Sequence, residues 1–245
     1  MFSASGSDIG QKREENQDRV MIKELEGDNT CIAIVCDGMG GAASGGEASQ
    51  LAMDEFLKSV TENYRPDMNE NSIRNLLLIA VHRANNAVYE TSIEDMDKNG
   101  MGTTCVAALV RNKSIYVVNV GDSRGYLLTG DGIKQITTDH TYVEALRQQG
   151  QITDEEAKNH PYRNVITKAV GVEPDVDVDY FEFECYDTGN FALVLCSDGL
   201  SGYCSEEFIY CTVFGNNLDE AVRKLIDHSN ESGGKDNITV AIVAN

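Results

Sequence analysis

The sequence predicts an α+β protein in which antiparallel β-strands form the sheet and helices cover it. Three observations carry this. Short runs of alternating apolar and polar residues follow one another across tight turns, as in residues 103–111, 114–120 and 124–129, the pattern of strands paired with their sequence neighbours. Two stretches switch to helical period: Ala48, Leu51, Ala52, Phe56 and Val60 in the first, and Ile73, Leu76, Leu77, Ala80, Ala84, Ala87 and Val88 in the second. The 245 residues hold three prolines and no repeat, low-complexity tract or linker, so one domain spanning 1–245 is the economical division.

Taken in order, residues 2–8 read as a first strand. The alternating R-V-M-I-K-E-L of 19–25 turns at Gly27, Asp28 and Asn29 into the apolar run I-A-I-V-C of 32–36, which predicts a hairpin. Asp37 stands where that buried strand leaves the core, and Gly38, Gly40 and Gly41 leave bare backbone beside its carboxylate. After the two helices, strands at 103–111, 114–120, 124–129 and 133–137 predict a meander. Residues 139–171 lack long strands, carry polar helical patches at 142–149 and 154–158, and hold His140 and His160. That segment reads as a flap inserted beside the sheet. Strands at 178–184 and 191–196, helical stretches at 206–213 and 218–229, and a last strand at 238–243 complete the chain.

Twenty Lys plus Arg stand against 40 Asp plus Glu, a formal charge of −20, which speaks against nucleic acid or an anionic membrane as partner and favours polyvalent cations. Seven cysteines without a C-x-x-C pair fit neither a disulfide framework nor a thiolate zinc site. Cys31, Cys36, Cys105, Cys196 and Cys211 lie in apolar runs and read as core residues of a reducing compartment. The start of the chain has no signal-peptide pattern, and no segment approaches 18 uninterrupted apolar residues, so neither export nor membrane spanning is expected.

Acids recur at strand ends: Asp37 before Gly38, Asp122 after Gly121, Asp198 before Gly199, and Asp236 opening the last strand. Each alone is an ordinary turn residue, but four together suggest a hard cation held by oxygen. Other readings stay open at this point. G-M-G-G-A-A after a strand has the outline of a dinucleotide fingerprint, although Asp37 would repel a pyrophosphate. Cys105 and Arg111 fit the C-x5-R loop of cysteine-dependent phosphatases, although V-A-A-L-V between them is a strand pattern that buries the thiol. A cation-binding or phosphoprotein-binding module without turnover is the non-enzymatic alternative. His82 and His228 read as packed or surface helix residues, His140 and His160 as possible substrate contacts, and Arg124 as a residue that orients its loop by pairing with an acid.

Seven motifs in order resemble the bacterial branch of the metal-dependent protein phosphatases, the type 2C serine/threonine class. They are S-D-I-G-Q-K-R-E-E-N-Q-D from Ser7, D-G-M-G-G from Asp37, G-T-T from Gly102, G-D-S-R from Gly121, N-V-I-T-K-A-V-G from Asn164, S-D-G-L from Ser197 and D-N-I-T from Asp236. The resemblance implies a four-layer α/β/β/α sandwich, two antiparallel sheets flanked by helices, with a metal cleft at one edge. It implies that Asp37 bridges two Mn²⁺ or Mg²⁺ ions, that Asp198 and Asp236 hold the first, and that the Gly38 carbonyl and Asp18, the latter mainly through water, serve the second. Arg13 would grip the phosphate, and Asp122 with Asp198 would match a weaker third ion, so that Asp37, Asp122, Asp198 and Asp236 form the catalytic set. Phosphorylated proteins, targets of a bacterial serine/threonine kinase, are the implied substrates of a cytoplasmic monomer. Met39 stands where eukaryotic relatives often carry a histidine, Ala42 where bacterial ones do, and Gly46 replaces a familiar acid; these departures touch the rim rather than the metal centre.

Overall fold

Alternation along each strand sorts side chains onto two faces, and in the computed structural model those faces build three apolar layers. The description covers residues 1–26, 29–40, 44–185 and 189–245, so the Gly27-Asp28 turn, Gly41 and Ala42 lie outside it. In chain order the strands are β1 (Phe2–Asp8), β2 (Asp18–Glu24), β3 (Thr30–Met39), β4 (Gly102–Thr103), β5 (Cys105–Arg111), β6 (Ser114–Val120), β7 (Arg124–Thr129), β8 (Gly132–Gln135), β9 (Asp179–Glu184), β10 (Ala192–Cys196) and β11 (Ile238–Ala244). The helices are α1 (Ser44–Asn63), α2 (Glu70–Glu94), α3 (Tyr142–Gln148), α4 (Asp154–Lys158), α5 (Asp198–Ser201), α6 (Glu206–Gly215) and α7 (Leu218–Glu231).

One sheet runs β1-β11-β10-β7-β8 and the other β2-β3-β5-β6-β9, with β4 added to β3. Every pairing among the described strands is antiparallel. Ala33 and Val35 of β3 meet Leu193 and Leu195 of β10 between the sheets, while Ile32, Ile34 and Cys36 point outward under Phe56, Ile73 and Leu77 of α1 and α2. β3 is apolar on both faces because both faces are covered. On the far side, Val194 and Ile242 pack beneath Ile209 of α6 and Leu225 of α7. The result is the expected α/β/β/α sandwich.

The predicted meander is two hairpins in different sheets: β5 pairs β6 in one, β7 pairs β8 in the other, and the chain crosses between them at Gly121 to Ser123. Alternation reports that a strand has two faces, not which sheet receives it. β3 does not end at Asp37 but runs on to Met39, because Gly38 and Met39 pair with Thr103 and Gly102. The predicted strand at 103–111 is interrupted at Thr104, which turns to bond Asp37. Cys211 is exposed, on the outer side of α6, whereas Cys31, Cys36, Cys105 and Cys196 are buried as expected. The dinucleotide outline fails because β3 lies antiparallel between β2 and β5, with no parallel βαβ unit among the described residues.

Candidate metal centre

Antiparallel pairing brings acids that are distant in sequence to the same end of the sandwich. Asp18, opening β2, lies directly across from Asp37 on β3. In the other sheet Cys196 pairs with both Arg124 and Val240, so the start of β7, the end of β10 and the start of β11 are neighbours. Asp122, Asp198 and Asp236 leave the sheet at those three points. Contacts of β11 with β2 and β3 join the two sets.

The carboxylates are held by residues around them. Ser197 Oγ donates to Asp18 Oδ2 at 2.7 Å and accepts from the Thr239 amide at 3.1 Å, locking a buried acid to the strand that follows Asp236. The Asp37 amide donates to Thr104 Oγ1 at 2.9 Å, and its carbonyl accepts from the Thr104 amide and the Thr103 hydroxyl, each at 2.9 Å. Next to it, a Cβ on Gly38 would stand 2.0 Å from the Gly45 carbonyl oxygen, so only glycine lets β3 lie against the start of α1. Arg13 reaches in from the β1–β2 loop and donates to Asp236 at 2.6 Å while remaining half exposed. Asn237 holds that loop in place. Its Oδ1 accepts from the Gln17 amide, and its Nδ2 donates to the carbonyls of Ile9 and Glu15, all at 2.9 Å.

Crowded, buried negative charge dominates the site's electrostatics. Burial first, then Asp18, Asp198, Asp122 and Asp236, push the Asp37 carboxyl well above the usual range. Burial and Asp236 raise Asp18, burial with Asp236 and Asp18 carries Asp198 to about 6, and burial with Asp198 and Asp139 carries Asp122 to about 7. Two buried oxygens, Asp18 Oδ1 and Asp198 Oδ1, have no hydrogen-bond partner. Orphaned anionic oxygens and mutually repelling carboxylates are what a hard divalent cation satisfies, by supplying positive charge and accepting oxygen lone pairs. The donor set therefore fits Mn²⁺ or Mg²⁺. Among the described residues, no three acid, histidine or cysteine side chains already form a closed cage around one point, as expected of repelling acids of which one, Asp236, is turned onto Arg13.

Asp18, Asp37, Gly38, Asp122, Asp198, Asp236 and Arg13 thus all lie at this edge. Sequence reasoning missed Ser197, Thr104 and Asn237, although each sits inside a quoted motif; the signal was a polar residue beside an acid with no role of its own. Arg124 pairs with an acid as expected, its guanidinium 2.6 Å from Asp139. His140, expected as a substrate contact, is instead buried, and its Nδ1 accepts from the Gly121 amide. His160 sits in a ring cluster with Tyr142 and Tyr162 within residues 139–171. Cys105 is fully buried in β5, which removes the C-x5-R reading.

The family described as protein phosphatase 2C matches residues 6–239. The serine/threonine phosphatase stp of Listeria monocytogenes is 38% identical, over 99% of this chain and 95% of its own. The crystal structure of serine/threonine phosphatase Stp1 from Staphylococcus aureus superposes with a TM-score of 0.91 at 36% identity, covering 99% of this chain and 94% of that one. A structure of the catalytic domain of the serine threonine protein phosphatase PstP, in complex with two manganese ions, superposes with a TM-score of 0.83 at 31% identity, covering 100% and 97%.

Proposed function

The chain belongs to the protein phosphatase 2C family, and from that premise we propose that it hydrolyses phosphoserine and phosphothreonine monoesters of proteins at the acidic edge of the sandwich, with Mn²⁺ or Mg²⁺ as cofactor. The observation that carries this is the convergence of five aspartates from both sheets, two with orphaned buried oxygens, beside one exposed arginine. Asp37, Asp198 and Asp236 would hold the first ion, and Asp37, the Gly38 carbonyl and Asp18 the second. Asp122 and Asp198 would hold a weaker third. When bound, the ions neutralise the acids, lower the pKa of water toward ~7 and offset charge developing on the phosphoryl oxygens.

The residues of the chain then have separate tasks. Asp37 presents its carboxylate from a strand fixed at both its amide and its carbonyl by Thr103 and Thr104, so it reorganises little. Arg13 exchanges Asp236 for a phosphate dianion, to which a planar guanidinium offers two parallel donors. Asn237 keeps the Arg13 loop at the cleft. An open groove of about 630 Å³, bounded in part by Glu15, Asn16, Arg19, Glu47 and Gln50, adjoins that loop and gives room for residues flanking the phosphoester. Residues 139–171, where α3 and α4 pack on each other outside the sheets, act as a substrate-selecting flap of a single catalytic domain over 1–245.

The family resemblance also supports a cytoplasmic monomer acting on targets of a bacterial serine/threonine kinase. Among the described residues no helix is long and apolar enough to cross a membrane, and a formal charge of −20 disfavours nucleic acid. The test is hydrolysis of a phosphothreonine peptide with Mn²⁺, with Mg²⁺ and with chelator, before and after thiol alkylation. Metal-dependent turnover that chelation silences and alkylation spares is expected. Tight metal binding without turnover under either ion would establish the binding module instead.

A further inference from the structure

Gly121 carries Asp122 out of β6 with φ of +106°, close against Thr104, whose Cγ2 a Cβ there would approach to 2.6 Å. Both polar groups of Gly121 are taken by one residue. Its amide donates to Nδ1 of His140 at 3.0 Å, and its carbonyl accepts from the His140 amide at 2.9 Å. Asn119 supports the same point, donating from Nδ2 to the carbonyls of Thr138 at 3.0 Å and Gly121 at 3.3 Å. The His140 carbonyl accepts from the Thr167 amide at 2.8 Å, and Thr141 bridges to Ile166, so the clamp is continuous with the far end of the flap. Because Nδ1 accepts, the ring proton sits on Nε2, which lies 3.2 Å from Asp179 Oδ2 on β9 but is not aligned for a good hydrogen bond. The imidazole is 7% exposed. An apolar residue in its place would leave the Gly121 amide buried and unmatched.

We propose that His140 is a positioning residue for the weaker cation site: its imidazole fixes the Gly121 peptide, and so the direction in which Asp122 presents its carboxylate, and ties that direction to the flap through Thr167. This rests on the reading that Asp122 holds a third cation. The residue acts through Gly121 and touches neither substrate nor ion.

His140→Asn and His140→Leu separate positioning from packing. Asparagine keeps an acceptor near the place of Nδ1; leucine keeps comparable volume and has none. Two quantities are read: the Mn²⁺ concentration giving half-maximal turnover of a phosphothreonine peptide, and amide hydrogen exchange over residues 119–124. His140→Leu should raise the Mn²⁺ requirement about tenfold, the range found for outer partners of metal ligands, and speed exchange, while calorimetry still counts the wild-type number of tight ions. His140→Asn should stay near wild type in both. If leucine and asparagine behave alike, whether both intact or both impaired, the proposal is overturned. Should the leucine variant fail to fold, His140→Ala with added imidazole replaces it: restoration of the low Mn²⁺ requirement supports the clamp, and no restoration at any imidazole concentration overturns it. Asp122→Ala runs in parallel. If it leaves the Mn²⁺ curve unchanged, the third-cation reading has failed by itself, and the exchange data alone then judge the clamp.

Discussion

Asp122→Asn should make the metal-free protein more stable and the enzyme worse. Asp122 is 8% exposed, and burial together with Asp198 and Asp139 raises its carboxyl from 3.8 to about 7. The folded chain therefore binds this proton more tightly than the unfolded chain. The destabilisation is absent below pH 3.8, grows as pH rises, and is fully present above about 7. A shift of about three pKa units corresponds to ~4 kcal/mol as an upper figure. Placing an amide with imperfect partners returns about 1–3 kcal/mol of that, which leaves a net gain on the order of 1–3 kcal/mol at pH 8. For a chain of this length that gain reads as a rise in Tm of roughly 3–10 °C. The assay is thermal unfolding in chelator at pH 8 and pH 5, where the gain should shrink as the wild-type carboxyl takes up its proton. Turnover of a phosphothreonine peptide with Mn²⁺ should fall at least about tenfold, because the proposed third cation would lose a charged ligand. Equal stability of the two proteins at pH 8, or the same gain at both pH values, would refute the electrostatic reasoning. Unchanged turnover would show that Asp122 holds no cation needed for chemistry.

Asp37→Asn should lower kcat by several orders of magnitude, since both ions of the proposed pair lose a shared ligand; near-normal activity would remove the two-metal centre. Arg13→Ala, which deletes a half-exposed guanidinium bonded to Asp236, should raise KM for phosphopeptide more than it lowers kcat, and steady-state kinetics decides. Replacing residues 142–159 should change selectivity among protein substrates while hydrolysis of a small aryl phosphate persists; equal loss on both would make the flap part of the core.

The repeating units of this fold were legible in the sequence because they depend on local period. Strands at 2–8, 114–120 and 124–129 and the cores of both long helices fall where alternation and 3.6-residue spacing put them. The acids were legible too, since Asp37, Asp198 and Asp236 stand beside glycines or at strand starts, and the ordered motifs identified the family before any geometry. What period cannot carry is partnership. Whether β7 follows β6 in the same sheet depends on one turn at Gly121, whose left-handed backbone sends the chain across the sandwich, and the apolar pattern on either side reads the same in both cases. Nor does spacing reveal that Ser197 reaches Asp18 across 179 residues of chain, or that Asn237 holds the loop of Arg13. A hydrogen bond is directional and reaches about 3 Å, so its existence is decided by packing, whereas burial of an apolar face is non-directional and leaves its mark on composition alone. Charge, apolar faces and family membership are properties of the residues in order and can be read without any fold. Packing alone brings five aspartates to one edge, with the carboxyls of Asp18, Asp37, Asp122 and Asp198 raised as the cost, and bonds a buried histidine to the peptide beside one of them.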